Sequence, residues 1–358
     1  MTPRPDPDAA AHPAPPPTVT PPLSAFDCLS RGIANLRANW QLVPLLVVQQ
    51  VVVGVLGLLT VAALFLPLVF FGGWAASLKN LVGLPPELIG EELFLLLMEL
   101  VQQDPWTLIL MAAIALVPST LVGVAAVLAF GWLAGGIFGV LRDGEERAPV
   151  EEGVGWERFR AYSWRKFSDL GGRFMWPYFW FVNYFLVLIL LVVFFVLLVM
   201  VVLTWVGEAV DPAVAMAVGC GALLPTMALY LGFAFWYLVG LVEVVRGPGE
   251  GEGRFAAVRS ASRRAWRVLR RRWAALLVLA VVFMGGSLVV SIGMSPMGMY
   301  SAGVLDSSFV AWCGLQALSY LVQIAVLSVV HVAFYAALTA LARDTAAPSG
   351  PPSEPEAA

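Results

Sequence analysis

The sequence predicts an all-α polytopic membrane protein, and three observations carry that expectation: six long stretches without charge, an uneven partition of basic residues, and a threefold internal repetition. The charge-free stretches are 38–78, 105–141, 174–207, 212–242, 273–305 and 307–342. Each exceeds the roughly 20 apolar residues with which a helix crosses a hydrocarbon core. Hydrophobic residues make up 60% of the chain and charged residues 13%. That is about half the charged share of a soluble domain, so one membrane domain fills the chain.

The elements follow in order. Residues 1–22 carry nine prolines and lack the basic start and apolar core of a secretory signal, so they are expected to be a disordered tail. The membrane domain covers 23–343, and 344–358 form a second disordered tail. An interfacial helix with Ile33, Leu36 and Trp40 on one side precedes the first span. Between spans one and two, Pro85 and Pro86 start an amphipathic helix that ends near Gln103 on the outer surface. Before span three, Trp156, Phe159, Ser163, Phe167, Leu170 and Phe174 form a stripe at steps of three or four. Before span five the same stripe returns 99 residues later as Phe255, Val258, Ser262, Trp266, Leu269 and Trp273. Both stripes are expected to face the apolar side of one amphipathic helix each. The chain thus reads as three repeats, about 24–142, 156–246 and 255–343, each an interfacial helix followed by a helical hairpin.

Of the 21 Lys and Arg residues, only Lys79 falls on the side of the odd-to-even loops. Basic residues stay with the cytoplasm, so both termini are expected there. Arg outnumbers Lys 19 to 2, a bias that points to a GC-rich bacterial genome and hence to a bacterial inner membrane.

Arg31, Arg165 and Arg264 occupy one equivalent position in the three repeats and are candidates for lipid head-group contacts. Arg263, Arg267, Arg270 and Arg271 add to the basic face of the last interfacial helix, where they also serve as topology signals. In span six Gln316, Ser319, Gln323 and His331 form a polar stripe, with Ser328 beyond its edge. Together with Gln49, or its neighbour Gln50, of span one and Asn183 of span three, Ser319, Gln323 and His331 define a candidate intramembrane polar pocket, weighed against a plain hydrogen-bond network. Gly131, Gly135 and Gly139 clear one helix face for packing, Pro118 and Pro225 are expected to kink spans two and four, and Cys220 and Cys313 read as small apolar fillers.

No catalytic arrangement emerges. The histidines are His12 and His331, and no CxxC, HExxH, GxSxG or Walker motif is present to hold a metal, nucleophile or phosphate. The expectation is therefore no enzyme, no cofactor and no nucleic-acid partner, with membrane lipids and a cytoplasmic protein as partners.

The helix-plus-hairpin layout, with the run GGIFGVLRDGEERAPVEEGVGWERF at 135–159, resembles uncharacterised bacterial multi-helix membrane proteins. Over roughly 24–343 it is similar in layout to the membrane domain attached to some glycerophosphodiester phosphodiesterases. Activity in that family resides in a separate barrel domain whose histidine and carboxylate ligands this chain lacks, so the resemblance implies the membrane layout without the phosphodiesterase. The leading expectation is a non-enzymatic membrane protein that engages anionic lipid or a cytoplasmic partner through arginine-rich interfacial helices. The competing one is a permease for a small lipophilic solute.

Overall fold

The computed structural model describes residues 22–71, 105–148, 155–210, 212–247, 254–304 and 309–346. The expected helix over 85–103, Lys79, Asp306 and most of both tails lie outside the described residues. Among the described residues all regular structure is helical.

Helix α1 (Ala25–Ala38) begins with a reciprocal cap: the Asp27 amide donates to Ser24 Oγ at 3.1 Å, and the Ser24 amide donates to the Asp27 carboxylate at 2.9 Å. Helices α2 (Leu42–Phe71), α3 (Pro105–Arg147), α4 (Trp164–Val210), α5 (Pro212–Val244), α6 (Arg254–Val304) and α7 (Phe309–Ala346) follow. Proline opens α3 and α5, where its missing N–H costs no hydrogen bond. Pro118 lies within α3, which runs through it as one helix, and α5 likewise runs unbroken past residue 225. Gly247, at φ 77°, turns the chain out of α5 in a conformation that suits glycine, and its amide reaches the Val244 carbonyl at 3.2 Å.

All six long helices contain a segment long and apolar enough to cross a membrane. Helix α3 has 43 residues, α4 has 47 and α6 has 51. At 1.5 Å per residue α3 and α4 reach about 65–70 Å, twice a hydrocarbon core or more, so part of each projects beyond it, and α6 is divided at Arg272. Consecutive helices pack side by side from α2 to α7, and α7 returns to α2, α3 and α1. Helix α7 is accordingly the most enclosed span.

Burial is concentrated at one end, the end that carries the arginines. There Phe174, Tyr178 and Phe181 of α4, Val242 and Val245 at the end of α5, and Ala337 to Ala342 of α7 form one core with Ala261 and Ala265 of α6. Leu42 and Leu46 of α2 join Ile137, Val140 and Leu141 of α3 in a second. Gly131, Gly135 and Gly139 lie on the α3 face that meets α4.

Two expectations about the interfacial segments need correction. Residues 156–174 do not form one helix: Trp156–Phe159 is a single 3-10 turn, 160–163 are non-helical, and α4 starts after Ser163, whose carbonyl and hydroxyl receive the Phe167 and Lys166 amides. The break has a tertiary cause, because Asn39 Oδ1 accepts from the Ala161 and Tyr162 amides at 2.9 Å each and replaces helical carbonyls as their partner. Residues 254–271 do form a helix, which breaks from the remainder of α6 at Arg272 (φ −128°, ψ 26°). Its protein-facing stripe, however, consists of Ala257, Val258, Ala261, Ala265 and Val268, while Phe255, Trp266 and Trp273 are exposed. The small side chains allow close approach to the bundle, and the large rings are left at its surface. The chain also remains helical to Ala346, past the expected start of the tail, because Asp344 pairs with Arg272 at 2.7 Å.

Candidate functional site

Three arginines mark the basic ends of alternate helices: Arg142 in α3, Arg246 just after α5 and Arg343 in α7. Each donates to a backbone carbonyl at the end of another of the three. Arg142 donates to Val245, Arg246 to Ala342 at 2.7 Å, and Arg343 to Ala148 at 2.9 Å and to Glu145. The donations run from α3 to α5, from α5 to α7 and from α7 back to α3, closing a circuit. The last carbonyls of a helix have no partner in their own helix and sit at its negative dipole end, so a neighbour's guanidinium satisfies both needs.

Two buried carboxylates lie within the circuit. Glu145, 1% exposed, accepts from Arg31 Nε at 2.7 Å and from Arg343 at 3.5 Å. Glu243, also 1% exposed, accepts from Arg246 at 3.1 Å and from Arg264 Nε at 2.9 Å, while Arg264 Nη2 also donates to the Glu243 and Gly247 carbonyls. Glu243 is thus the centre of a buried ion-pair cluster. Burial pulls the Arg246 pKa below its ordinary value, with Glu243 beside it acting in the opposite direction. Nearby, burial pushes the Cys28 thiol up to about 12.

The three equivalent arginines thus separate. Arg31 is buried against Glu145, with its guanidinium over the Phe159 ring, and Arg264 turns inward to Glu243. Arg165 is exposed. The first two are structural cations of the bundle rather than groups displayed to a head group. Beside Arg31, Asn35 donates to the Leu141 carbonyl at 2.9 Å and Asn39 donates to the Phe159 carbonyl at 2.8 Å, which fastens α1 to α3 and to the 3-10 turn.

A groove of about 770 Å³ opens where the first part of α6 meets α4 and α5. Tyr184, Trp236, Phe255 and Trp266 supply aromatic walls, and Arg259 and Arg263 stand at its edge. Trp236 Nε1 donates to the Ser262 carbonyl at 2.9 Å and its ring meets Trp266 edge-on, so the walls are fixed. Arg259 and Arg263 are exposed and make no ion pair among the described residues. They lie one helical turn apart, on the side of α6 away from Glu243. A cationic edge over aromatic walls suits an amphiphile with an anionic head.

The expected polar pocket is only partly assembled. Asn183 bonds back to the Phe179 carbonyl of its own helix at 2.8 Å, and His331 Nδ1 lies 2.7 Å from the Leu327 carbonyl with its ring against Phe283. Ser319 is buried and Gln323 half-buried, and neither is part of the lining of the cavity that holds Gln49. Ser328, left outside the stripe, is fully buried with an unpartnered hydroxyl. Gln49 instead lines a cavity of about 460 Å³ with Gln50, Tyr237, Tyr320 and Tyr335. Sequence reasoning missed the tyrosines because Tyr237 comes from another helix than Tyr320 and Tyr335, and a lone tyrosine in an apolar span reads as an ordinary span residue.

This geometry defines a multi-pass helical membrane protein with an arginine-clasped end. No family model, curated protein or solved structure matches the chain.

Proposed function

We propose that this is a non-enzymatic bacterial inner-membrane protein whose basic end faces the cytoplasm and holds anionic phospholipid of the inner leaflet. The observation that carries this reading is the groove walled by Tyr184, Trp236, Phe255 and Trp266 and edged by Arg259 and Arg263. Two guanidiniums one turn apart suit a phosphodiester, and aromatic walls suit the glycerol and first acyl carbons. The three-repeat organisation is part of the proposal. It is supported by the circuit of Arg142, Arg246 and Arg343, which relates the second helix of each hairpin to the others.

Native mass spectrometry of protein extracted from mixed phosphatidylglycerol and phosphatidylcholine vesicles tests the lipid reading. Changing Arg259 and Arg263 together to Gln is expected to lower retained phosphatidylglycerol roughly tenfold or more. The charge-matched change of Arg267 and Arg270 to Gln leaves most of it. Equal losses would reduce the arginines to general attraction. Sidedness is tested by reporter fusions, expected outside at Lys79, Asp211 and Asp306 and inside at Glu146, Glu250 and Ala358.

A permease for a small lipophilic solute is the competing reading. The cavity among α2, α3, α5 and α7 is closed toward the basic end by buried Ile137, Phe138 and Leu241, which favours binding over conduction. Solute flux in liposomes, abolished by His331→Ala with folding intact, would establish transport.

A further inference from the structure

The cavity between α2, α3, α5 and α7 has a chemistry opposite to that of the arginine groove. No Asp, Glu, Lys or Arg lines it. Its polar groups are the amides of Gln49 and Gln50 and the hydroxyls of Tyr237, Tyr320 and Tyr335. Gln49 is 95% buried by its 5% exposure, yet its amide makes no hydrogen bond among the described residues. Tyr237 and Tyr335 are half-buried, and their hydroxyls, open to the cavity, likewise make no hydrogen bond among the described residues. A buried amide ordinarily finds a partner, and one left without a bond costs free energy comparable to the bond itself. Here that amide and the two phenols converge on one volume of about 460 Å³, a size ordinary for a small-molecule site.

The shape gives the ligand a direction. Leu46, Ile137, Phe138 and Leu241 close the floor, whereas Gly54 and Tyr320 at the rim are exposed. The rim lies within apolar spans, so the cavity opens toward hydrocarbon rather than toward water. We propose that this cavity binds an uncharged amphiphile of the diacylglycerol class, its polar end on Gln49 and Tyr335 and its chains leaving past Gly54. A free hydroxyl and two ester carbonyls match the amide and phenol groups, which both donate and accept. A charged head would meet no counter-charge and would lose its hydration, so phosphatidylglycerol is excluded. The inference is independent of lipid binding at Arg259 and Arg263.

The test uses the full chain in phosphatidylcholine vesicles containing a trace of diacylglycerol with a diazirine beside one ester, irradiated and mapped by mass spectrometry. Adducts are expected on α2 and α7, displaced by excess dioleoylglycerol and not by excess phosphatidylglycerol. Combining Gln49→Leu with Tyr335→Phe is expected to cut adduct yield roughly tenfold, since two polar contacts are lost. Gly54→Leu provides a variant with the polar floor intact, because a Cβ at Gly54 meets nothing within 4 Å and the new side chain fills the mouth instead of disturbing its neighbours. It should lower the yield as well. Adducts spread over the lipid-facing surface of α4, or labelling unaffected by competitor and by Gly54→Leu, would overturn the proposal, as would equal displacement by phosphatidylglycerol.

Discussion

The two ends of the bundle are built from the same kind of helix and held in different ways. At the basic end, Phe167, Tyr178, Phe181 and Leu341 are fully enclosed, and arginines from three helices cap carbonyls of their neighbours. Toward the opposite end of the described helices, Leu190, Phe194, Val201, Val289 and Ile292 are exposed to more than half of their area. In lipid that exposure carries no hydrophobic penalty, because acyl chains are as apolar as the side chains. Among the described residues, the contrast shows where the tertiary structure is specified: by polar satisfaction and close packing at the basic end, and by little beyond helix formation toward the other.

The largest expected effect breaks the basic end directly. Glu145→Ala removes the buried carboxylate that both Arg31 and Arg343 contact, so we expect a loss of about 3–5 kcal/mol. Reversible unfolding in mixed micelles measures it, and a loss below about 1 kcal/mol would mean that the cluster is solvated and the two ends are alike. Arg246→Leu is expected to cost less, about 1–3 kcal/mol, because it frees the Ala342 carbonyl while Glu243 keeps Arg264.

A smaller effect sharpens the comparison through pH. The Cys28 thiol, raised by burial from 9.0 to about 12, stays neutral in the folded protein while the unfolded chain ionises first. Its contribution is therefore intact below pH 9 and lost as pH rises from 9 toward 12. In the folded protein, peptide mapping after iodoacetamide treatment at pH 8 should find Cys28 unmodified, and prompt modification would place it in an open, mobile region.

Much of this architecture was legible in the sequence. The charge-free windows mark the six spans because no other feature of a helix needs thirty uncharged residues, and α2, α3 and α5 leave or enter close to the expected charges at Arg37, Arg142 and Glu243. The interfacial segments were legible only as periodicity. The break after Phe159 depends on Asn39, more than a hundred residues earlier in the chain, and no local pattern announces that partner. Arg31 and Arg264 each lie beside a carboxylate near the end of a span, but a sequence position does not say whether a guanidinium faces lipid or a buried glutamate. The cavity was legible only at Gln49 and its neighbour Gln50. Tyr237 and Tyr335 read as span residues until four helices bring them together.

The difference between the two ends is tested most directly by one substitution made in both places. A Cβ at Gly32 of α1 would lie 2.7 Å from the Ala333 carbonyl oxygen and from the Ala337 amide nitrogen of α7, backbone atoms that cannot turn aside, whereas a Cβ at Gly57 of α2 meets nothing within 4 Å. Unfolding free energies of Gly32→Ala and Gly57→Ala in the same micelles should separate in opposite directions. We expect Gly32→Ala to lose about 1–3 kcal/mol through overpacking and Gly57→Ala to be neutral or to gain up to about 1 kcal/mol through helix propensity. Equal values, or the larger loss at Gly57, would contradict a bundle specified at its basic end.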